Sequence, residues 1–184
     1  MKVNFDKTIN LYWELILMEY KIRKRELSDC KDIARVVTIS WNETYKGIVP
    51  DWFLEELKRN EDERAKNSIE KFDENNNNQL VLEVDGKVVG FANFGKSDDK
   101  EYENCGEIFA LYIIGEYKGK GYGRKLVNEA INELKKLGYN KMIIACLKGN
   151  PTNEFYKHIG GVYIKDGLYK RLTLAENVYY FENI

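Results

Sequence analysis

The sequence predicts one α/β domain, because segments with the alternation of strands and segments with the apolar spacing of helices succeed one another along its 184 residues. The most informative stretch is residues 107–124, in which a near-continuous apolar strand runs through a glycine-dense loop into a long amphipathic helix. Neither an internal repeat nor a linker interrupts the chain, and its length suits a single domain.

The first part of the chain predicts a strand followed by helices. Residues 20–27 alternate between apolar and charged side chains, which is typical of a half-exposed strand. Ser28 and Asp29 offer helix N-cap chemistry before a run of apolar residues at helical spacing. Asp51 can cap a second helix, and the charged segment 60–72 predicts a third.

The middle of the chain predicts a β-hairpin and then a buried strand. Residues 79–84 and 87–94 have strand character, and the Asp85-Gly86 pair between them is a strong signal for a two-residue turn. A further turn precedes the apolar strand 107–114, which we expect to be buried on both faces.

The last part begins with the clearest helix, residues 121–137. Its apolar side chains form one stripe, two lysines suit its negative end, and Gly138 ends it. The remaining elements are a strand, a short helix and two closing strands, at 141–147, 150–158, 162–169 and 178–181.

The glycine-dense loop, residues 118–124, has the composition of an anion-binding site. Glycines let backbone N–H groups approach a ligand closely, and the helix that follows adds unpaired N–H donors and a partial positive charge. A P-loop is excluded because no hydroxyl residue follows Arg124 and Lys125, and a dinucleotide fingerprint fails because Arg124 or Leu126 stands at its last glycine position. A turn that only caps the helix is the alternative.

The spacing Lys118-x-x-Gly121-x-Gly123 resembles the pyrophosphate-binding motif of the GNAT superfamily of acyl-CoA-dependent N-acetyltransferases. Lys118 departs from the usual Gln or Arg, at a position that works largely through its backbone. Residues 40–50 and 149–161 resemble further segments of one GNAT branch, so the likeness covers about residues 19–183. It implies a mixed, mostly antiparallel central sheet of about six to seven strands with helices on both faces, and a strand that splays from its neighbour before the loop.

The resemblance implies transfer of an acetyl group from acetyl-CoA to a primary amine of a small molecule or peptide, with no metal. The strand before the loop would pair with the pantetheine arm through its backbone, and the loop would hold the pyrophosphate. Helix capping is the alternative role for Asn150. The cofactor-binding residues that the resemblance implies are Leu111, Tyr112, Ile113, Lys118, Gly119, Lys120, Gly121, Tyr122, Gly123, Arg124 and Asn150.

Two side chains are candidates for proton transfer. A primary amine is almost wholly protonated at neutral pH and needs a base. Glu107 opens the strand at the offset where the histone-acetylating branch of the family has its catalytic glutamate, and an exposed strand-end charge is the alternative. Tyr156 stands where the family has a tyrosine that protonates the leaving thiolate, and packing beside Phe155 is the alternative.

Composition narrows the remaining possibilities. A net charge of −1 argues against a dedicated nucleic-acid binder. No apolar run is long enough to span a membrane, and the N-terminus lacks a clean signal-peptide core, so we expect a cytoplasmic protein without membrane partners. The three cysteines lack metal-ligand spacing and are expected to be buried.

Residues 1–17 are expected to form an N-terminal extension to a domain that covers residues 18–184. Edge strands near the C-terminus are compatible with a homodimer. A non-catalytic acyl-CoA sensor and an interaction module stay open as alternative functions, because the same glycine loop would serve the former and a simple turn the latter.

Overall fold

The computed structural model describes residues 19–184, which form one open seven-stranded sheet flanked by five helices. The strands are β1 Tyr20–Lys24, β2 Gln79–Val84, β3 Lys87–Lys96, β4 Gly106–Ile113, β5 Met142–Leu147, β6 Val162–Tyr169 and β7 Leu174–Phe181. The helices are α1 Cys30–Thr44, α2 Asp51–Arg59, α3 Glu61–Glu70, α4 Tyr122–Lys136 and α5 Thr152–His158.

The sheet confirms the predicted mixed and mostly antiparallel topology. Its strand order is β1-β2-β3-β4-β5-β7-β6, and every neighbouring pair is antiparallel except β4 with β5. These two parallel strands pair only at Gly106 with Met142 and at Glu107 with Ile143. Beyond that point they diverge, which confirms the predicted splay before the glycine loop.

A β-bulge in β4 lies just after the last pair with β5. Asn93 on β3 is opposite Ala110 and Phe94 is opposite Ile108, so Phe109 has no partner across the strands. A bulge adds a residue to one strand and increases its local twist. The bulge therefore contributes to the separation of β4 from β5.

Helix α4 covers one face of the sheet. Its apolar stripe packs into the main core, where Leu126, Ala130 and Leu134 are fully buried. Gly106 makes this packing possible, because a Cβ atom at that position would lie 2.7 Å from a methyl group of Leu134. Helices α1, α2 and α3 cover the opposite face, around a core that includes Phe53.

Two element boundaries differ from the predictions by three residues or more. Strand β1 ends at Lys24 rather than at residue 27, and the chain then enters a 3₁₀ turn over Leu27–Asp29. Strand β7 begins at Leu174, four residues before the predicted start at 178. The three helices predicted between residues 28 and 72 are present as α1, α2 and α3.

Asp29 does not cap α1 with its side chain, contrary to the prediction. Its carboxylate instead accepts hydrogen bonds from the Arg23 guanidinium at 2.6 and 2.9 Å and from the Glu26 N–H at 2.7 Å. Burial acts to raise the pKa of Asp29, but these bonds hold that pKa below its usual value. The carboxylate therefore joins β1 to the start of α1.

The predicted extension over residues 1–17 lies outside the described residues. Within residues 19–184, no helix has the length and apolar character needed to cross a membrane. The same part of the chain contains no cluster of three or more His, Cys, Asp or Glu side chains that could hold a metal ion. Cys30, Cys105 and Cys146 are buried and unpaired.

Candidate active site

The divergence of β4 and β5 opens a cavity of about 420 Å³, here called the splay cavity. Its wall is formed by β4, the glycine loop, β5, α5 and the C-terminal part of α1. Of the predicted site residues, those that line it are Leu111, Tyr112, Ile113, Lys118, Gly119, Gly121, Gly123, Arg124, Asn150 and Tyr156.

The backbone of β4 has an open edge along the splay cavity. The N–H of Ile114 donates to the Val89 carbonyl at 3.0 Å, so this residue's backbone faces β3. Backbone groups alternate in direction along an antiparallel strand, so those of Tyr112 also face β3, whereas those of Leu111 and Ile113 face the cavity. Unpaired backbone groups are unfavourable without a partner, and an extended ligand with amide groups could pair with them.

The glycine loop adopts a conformation that depends on its glycines. Gly119 and Gly121 have φ angles of 75° and 82°, in the left-handed region that side chains disfavour. Gly121 is the N-cap of α4, so the N–H groups of Tyr122, Gly123 and Arg124 have no acceptor within the helix. The loop therefore presents unpaired donors at the positive end of a helix of 15 residues.

Helix α1 fixes the position of this loop. The Glu43 carboxylate accepts a hydrogen bond from the Gly115 N–H at 2.7 Å, and the Lys118 ammonium donates to the Thr44 hydroxyl at 2.9 Å. Both contacts join residues more than 70 positions apart in the sequence. Glu43 and Thr44, in the segment 40–50 that resembles a GNAT motif, thus hold the glycine loop and the turn before it.

Three predicted site residues do not line the splay cavity, namely Lys120, Tyr122 and Glu107. The Tyr122 ring is buried and lies 5.3 Å from the Tyr20 ring, so only the Tyr122 backbone is directed to the loop. The Lys120 ammonium lies 5.4 Å from the Tyr117 ring centroid. Glu107 lies where β4 and β5 make their last pair, at the point from which the strands diverge.

Tyr156 on α5 has the properties of a proton donor. Its side chain is buried and lines the splay cavity, and its hydroxyl makes no hydrogen bond with any of residues 19–184. Burial raises the pKa of Tyr156, with the neighbouring Cys146 adding to the effect. The phenol is therefore protonated at neutral pH. Burial also raises the pKa of Cys146 to about 12, so this thiol is a poor nucleophile.

Asn150 uses both ends of its side-chain amide within the protein. Its Oδ1 atom accepts a hydrogen bond from the Thr152 N–H at 2.8 Å, at the start of α5. Its Nδ2 atom donates to the Tyr45 hydroxyl at 3.0 Å. The bond to Thr152 is the helix-capping role that was the alternative for Asn150. The bond to Tyr45 joins the start of α5 to the end of α1.

Glu107 is half-buried on the α1 side of the sheet. Burial raises the pKa of this carboxyl group, although a hydrogen bond from the Ser97 hydroxyl at 2.9 Å and one from the Asp98 backbone act in the opposite direction. A carboxylate with a raised pKa is a better general base near neutral pH.

Glu176 on β7 is a candidate that the sequence analysis missed. Burial, followed by the charge of Glu107, raises the pKa of Glu176. Glu107 is opposite Ile143 and Glu176 is opposite Leu147, so Ala145 lies between them on the intervening strand. Since alternate residues share a face, a small side chain separates the two carboxylates.

Ser40 on α1 was also missed. It is 1 % exposed, its hydroxyl has no hydrogen-bond partner within residues 19–184, and it lines the splay cavity. Of the aromatic rings near Ser40, Tyr45 lines the cavity, and the Trp41 ring lies 4.4 Å from Tyr45 and 5.9 Å from Tyr169. The Trp52 ring on α2 is 60 % exposed and does not line the cavity.

Comparison with known proteins shows relatives over most of the chain. Residues 41–160 match the sequence model of the acetyltransferase (GNAT) family. An uncharacterized N-acetyltransferase of Bacillus subtilis is 32% identical over 140 residues, covering 74% of this chain and 76% of that protein. A spermidine N(1)-acetyltransferase of Thermoplasma acidophilum is 27% identical over 153 residues, covering 81% of this chain and 91% of that protein.

Solved structures share the fold. The PaiA N-acetyltransferase of Thermoplasma acidophilum, solved in complex with coenzyme A, superimposes with a TM-score of 0.71 at 24% identity, covering 89% of this chain and 100% of that chain. A GCN5-related N-acetyltransferase of Rhodopseudomonas palustris gives a TM-score of 0.70 at 18% identity, covering 91% of this chain and 98% of that chain. The splayed sheet, the glycine loop and these matches together show that the chain belongs to the GNAT family of acetyltransferases.

Proposed function

We propose that the protein transfers the acetyl group of acetyl-CoA to a primary amine of a small molecule or peptide. The observation that supports this most directly is the continuity of the open β4 edge with the glycine loop at the start of α4. This surface offers backbone groups for the amides of pantetheine and N–H donors for a pyrophosphate. Coenzyme A is bound to the Thermoplasma acidophilum protein of the same fold.

In this proposal the pyrophosphate lies on the N–H groups of residues 118–124, and the cationic side chains of Lys118, Lys120 and Arg124 add positive charge around it. The pantetheine arm pairs with the backbone of Leu111 and Ile113, while Tyr112 contributes its side chain to the wall. The thioester then lies between Tyr156 and the Asn150–Tyr45 hydrogen bond.

Glu107 and Tyr156 divide the proton transfers. The amine donates its proton to the Glu107 carboxylate, directly or through one water molecule, and its nitrogen forms a bond to the acetyl carbon. The carbon–sulfur bond breaks, and the Tyr156 hydroxyl donates its proton to the sulfur. The second proton that the nitrogen loses as the amide forms passes through water to the Tyr156 phenolate and restores the phenol, and Glu107 releases the first proton to solvent. Glu107 lies where β4 and β5 begin to diverge, and Tyr156 lines the cavity that their divergence opens.

The acceptor is a cationic amine in this proposal. Glu107 and Glu176 provide two carboxylates on one face of the sheet, and the rings of Trp41, Tyr45 and Tyr169 offer a surface that favours cations. The Thermoplasma acidophilum relative is named for spermidine, so polyamines are the first acceptors to assay.

Calorimetric titration with acetyl-CoA, free CoA and ATP tests the cofactor. We expect both CoA species to bind and ATP to bind weakly or not at all. An assay of thiol release with polyamines, small monoamines and a lysine peptide then tests transfer. Binding without turnover on any amine would favour the acyl-CoA sensor, and absence of CoA binding would leave only an interaction module.

A further inference from the structure

A second cavity, of about 450 Å³, lies on the α1 side of the sheet and is here called the arginine cavity. Its wall includes Arg25, in the segment after β1, and Arg64 on α3. Every hydrogen bond that these guanidinium groups make within residues 19–184 goes to a neutral group. Arg23, two residues before Arg25, is instead paired with Asp29 at 2.6 Å and with Glu83 at 2.9 Å. The arginine cavity therefore carries two guanidinium groups that make no direct ion pair with a carboxylate of residues 19–184, although Asp29 interacts with Arg25, and Glu56 and Glu61 with Arg64, at longer range.

Unpaired polar atoms are concentrated around this cavity. Four buried side-chain atoms in the described part of the chain have no hydrogen-bond partner. Three of them are Nε of Arg25, Nε of Arg64 and Oδ1 of Asn77, all in residues that line the arginine cavity. A buried polar atom without a partner costs about 1–3 kcal/mol, so their concentration in one place indicates that a partner is absent.

The donors of Arg25 are arranged for an anion. Its Nη1 atom donates to Ser68 at 3.3 Å and to Gln79 at 2.8 Å, whereas its Nε and Nη2 hydrogens have no acceptor among the described residues. Gln79 in turn donates to the Oδ1 atom of Asn93, which leaves the Asn93 amide hydrogens for a further acceptor. The Phe72 ring, 4.8 Å from the guanidinium carbon, holds Arg25 in place. The chain of hydrogen bonds from Arg25 through Gln79 to Asn93 therefore has available N–H donors at both ends, on Arg25 and on the Asn93 amide.

Part of the cavity wall is apolar and is formed by residues that include Ile33, Val37 and Phe91. A bare inorganic anion would leave this wall uncovered, whereas an organic anion would cover it. We propose that the arginine cavity binds a small organic carboxylate, with Arg25 and the Asn93 amide on the carboxylate group and the hydrocarbon part against the apolar wall. Arg64 adds a second positive charge to the cavity wall. Burial lowers the pKa of this guanidinium, although the charges of Glu61 and Glu56 act to raise it.

The arginine cavity adjoins the splay cavity but is separate from it. The Phe91 ring lines the former and lies 5.4 Å from the ring of Tyr112, which lines the latter. Asn93 is likewise opposite Ala110 across β3 and β4. None of the described residues lines both cavities, so binding at the carboxylate site can be tested without an acceptor.

Fluorine NMR titration with para-fluorobenzoate tests the proposal, with excess CoA present so that anion binding at the glycine loop does not contribute. The wild-type protein should bind this probe. The neutral isostere para-fluorobenzyl alcohol should have an affinity that is lower by about ten-fold or more. Arg25→Gln should weaken the binding of para-fluorobenzoate by about ten-fold or more. Arg59→Gln, which removes an exposed arginine at the end of α2, is the matched control and should bind as the wild type does.

Asn93→Asp provides a second test if Arg25→Gln does not fold. It keeps the side-chain volume and can still accept the Gln79 hydrogen bond, but it places a negative charge beside the ligand, so affinity should again fall about ten-fold or more. Absence of binding to the wild type, equal binding of the alcohol, or wild-type affinity in both variants would overturn the site. Displacement of the probe by inorganic phosphate but not by isobutyrate would overturn its assignment to a carboxylate.

Discussion

At the scale of single residues, burial gives Glu107 and Tyr156 complementary properties. Burial raises the pKa of both groups, which brings the Glu107 carboxyl closer to neutral pH and moves the phenol of Tyr156 further above it. The first is then a stronger base than an exposed carboxylate, and the second keeps its proton until a thiolate appears. Burial thus strengthens Glu107 as a base, whereas it keeps Tyr156 protonated but makes its phenol a weaker acid.

Glu107→Gln should lower kcat by roughly 10²–10⁴-fold, because it removes the base. Activity of the wild type should fall as pH decreases through the raised pKa of Glu107, since only the carboxylate accepts a proton, and this limb should vanish in the variant. Steady-state kinetics against pH measure both. Glu103→Gln, at an exposed position, is the control. An unchanged acidic limb in the Glu107 variant would show that another group titrates.

Tyr156→Phe should lower kcat by about 10²-fold while the affinity for CoA stays the same. Because the Tyr156 hydroxyl makes no hydrogen bond within residues 19–184, its removal leaves no protein group unpaired, and the melting temperature should not fall. Kinetics and thermal denaturation give the two readouts. Tyr163→Phe, at an exposed position on β6, is the control. Lost stability together with lost activity would point to a packing role.

At the scale of elements, two glycines at the ends of α4 allow the effect of backbone strain to be distinguished from an effect on ligand binding. Gly121 and Gly138 have φ angles of 82° and 93° and stand at opposite ends of α4. An alanine at either position costs roughly 1–2 kcal/mol, because side chains disfavour this region. Only Gly121 lines the splay cavity.

Gly121→Ala should therefore weaken binding of CoA, whereas Gly138→Ala should not, although both should lower the free energy of unfolding by similar amounts. Chemical denaturation and calorimetric titration measure the two quantities. Equal affinity for CoA in both variants would mean that the loop is only a helix cap.

The sequence predicted the elements whose signals are local. The helix after the glycine loop and the Asp85-Gly86 hairpin were anticipated from local patterns, whereas the splay of β4 was anticipated from the family resemblance. Glu176 was missed because β7 was predicted to begin at residue 178, which left this carboxylate outside the sheet. Register decides which side chains face each other across three strands, and register depends on contacts that a single sequence does not reveal.

The arginine cavity shows the same limit. Arg25 and Arg64 are 39 residues apart in the sequence. The residues beside each of them in the sequence include several charged ones, as is typical of an exposed segment. They line one cavity, without a direct carboxylate partner among the described residues, because α3 packs against α1 beside the sheet. Unpaired charge is a property of three-dimensional neighbours, so no local motif predicts it.

At the scale of the whole molecule, stability at low pH should depend on the Arg23–Asp29 contact. Asp29→Asn should lower the free energy of unfolding by about 1.5–3 kcal/mol at neutral pH. The pKa of Asp29 is lowered in the folded state, so its contribution is complete above the usual value of 3.8 and disappears as pH falls through the folded-state value.

Denaturation of the wild type and Asp29→Asn across this pH range measures the effect, and the two should converge in acid. Asp32→Asn removes a more exposed pair with Arg35 and should change stability by less than about 1 kcal/mol. A difference that persists unchanged in acid would mean that the contact is not ionic.

Assembly also belongs to this scale, and a homodimer stays a prediction. Strand β6 lies at one end of the sheet and carries the exposed apolar side chains of Val162, Tyr163 and Leu168. A second copy could cover them. Light scattering should give the mass of a dimer, and Leu168→Lys should shift the protein to the monomer. A monomeric wild type at high concentration would contradict the prediction.

The short parallel contact between β4 and β5 also bears on aggregation. Over most of its length β4 is an edge strand in the interior of the molecule, and its free backbone groups could template pairing with a strand of another chain. Residues of helices α1 and α5 line the cavity beside this edge, and we expect them to admit a narrow flexible ligand more readily than a foreign β-strand. The fold thereby keeps a pairing surface for its cofactor without the risk of polymerisation that exposed sheet edges carry.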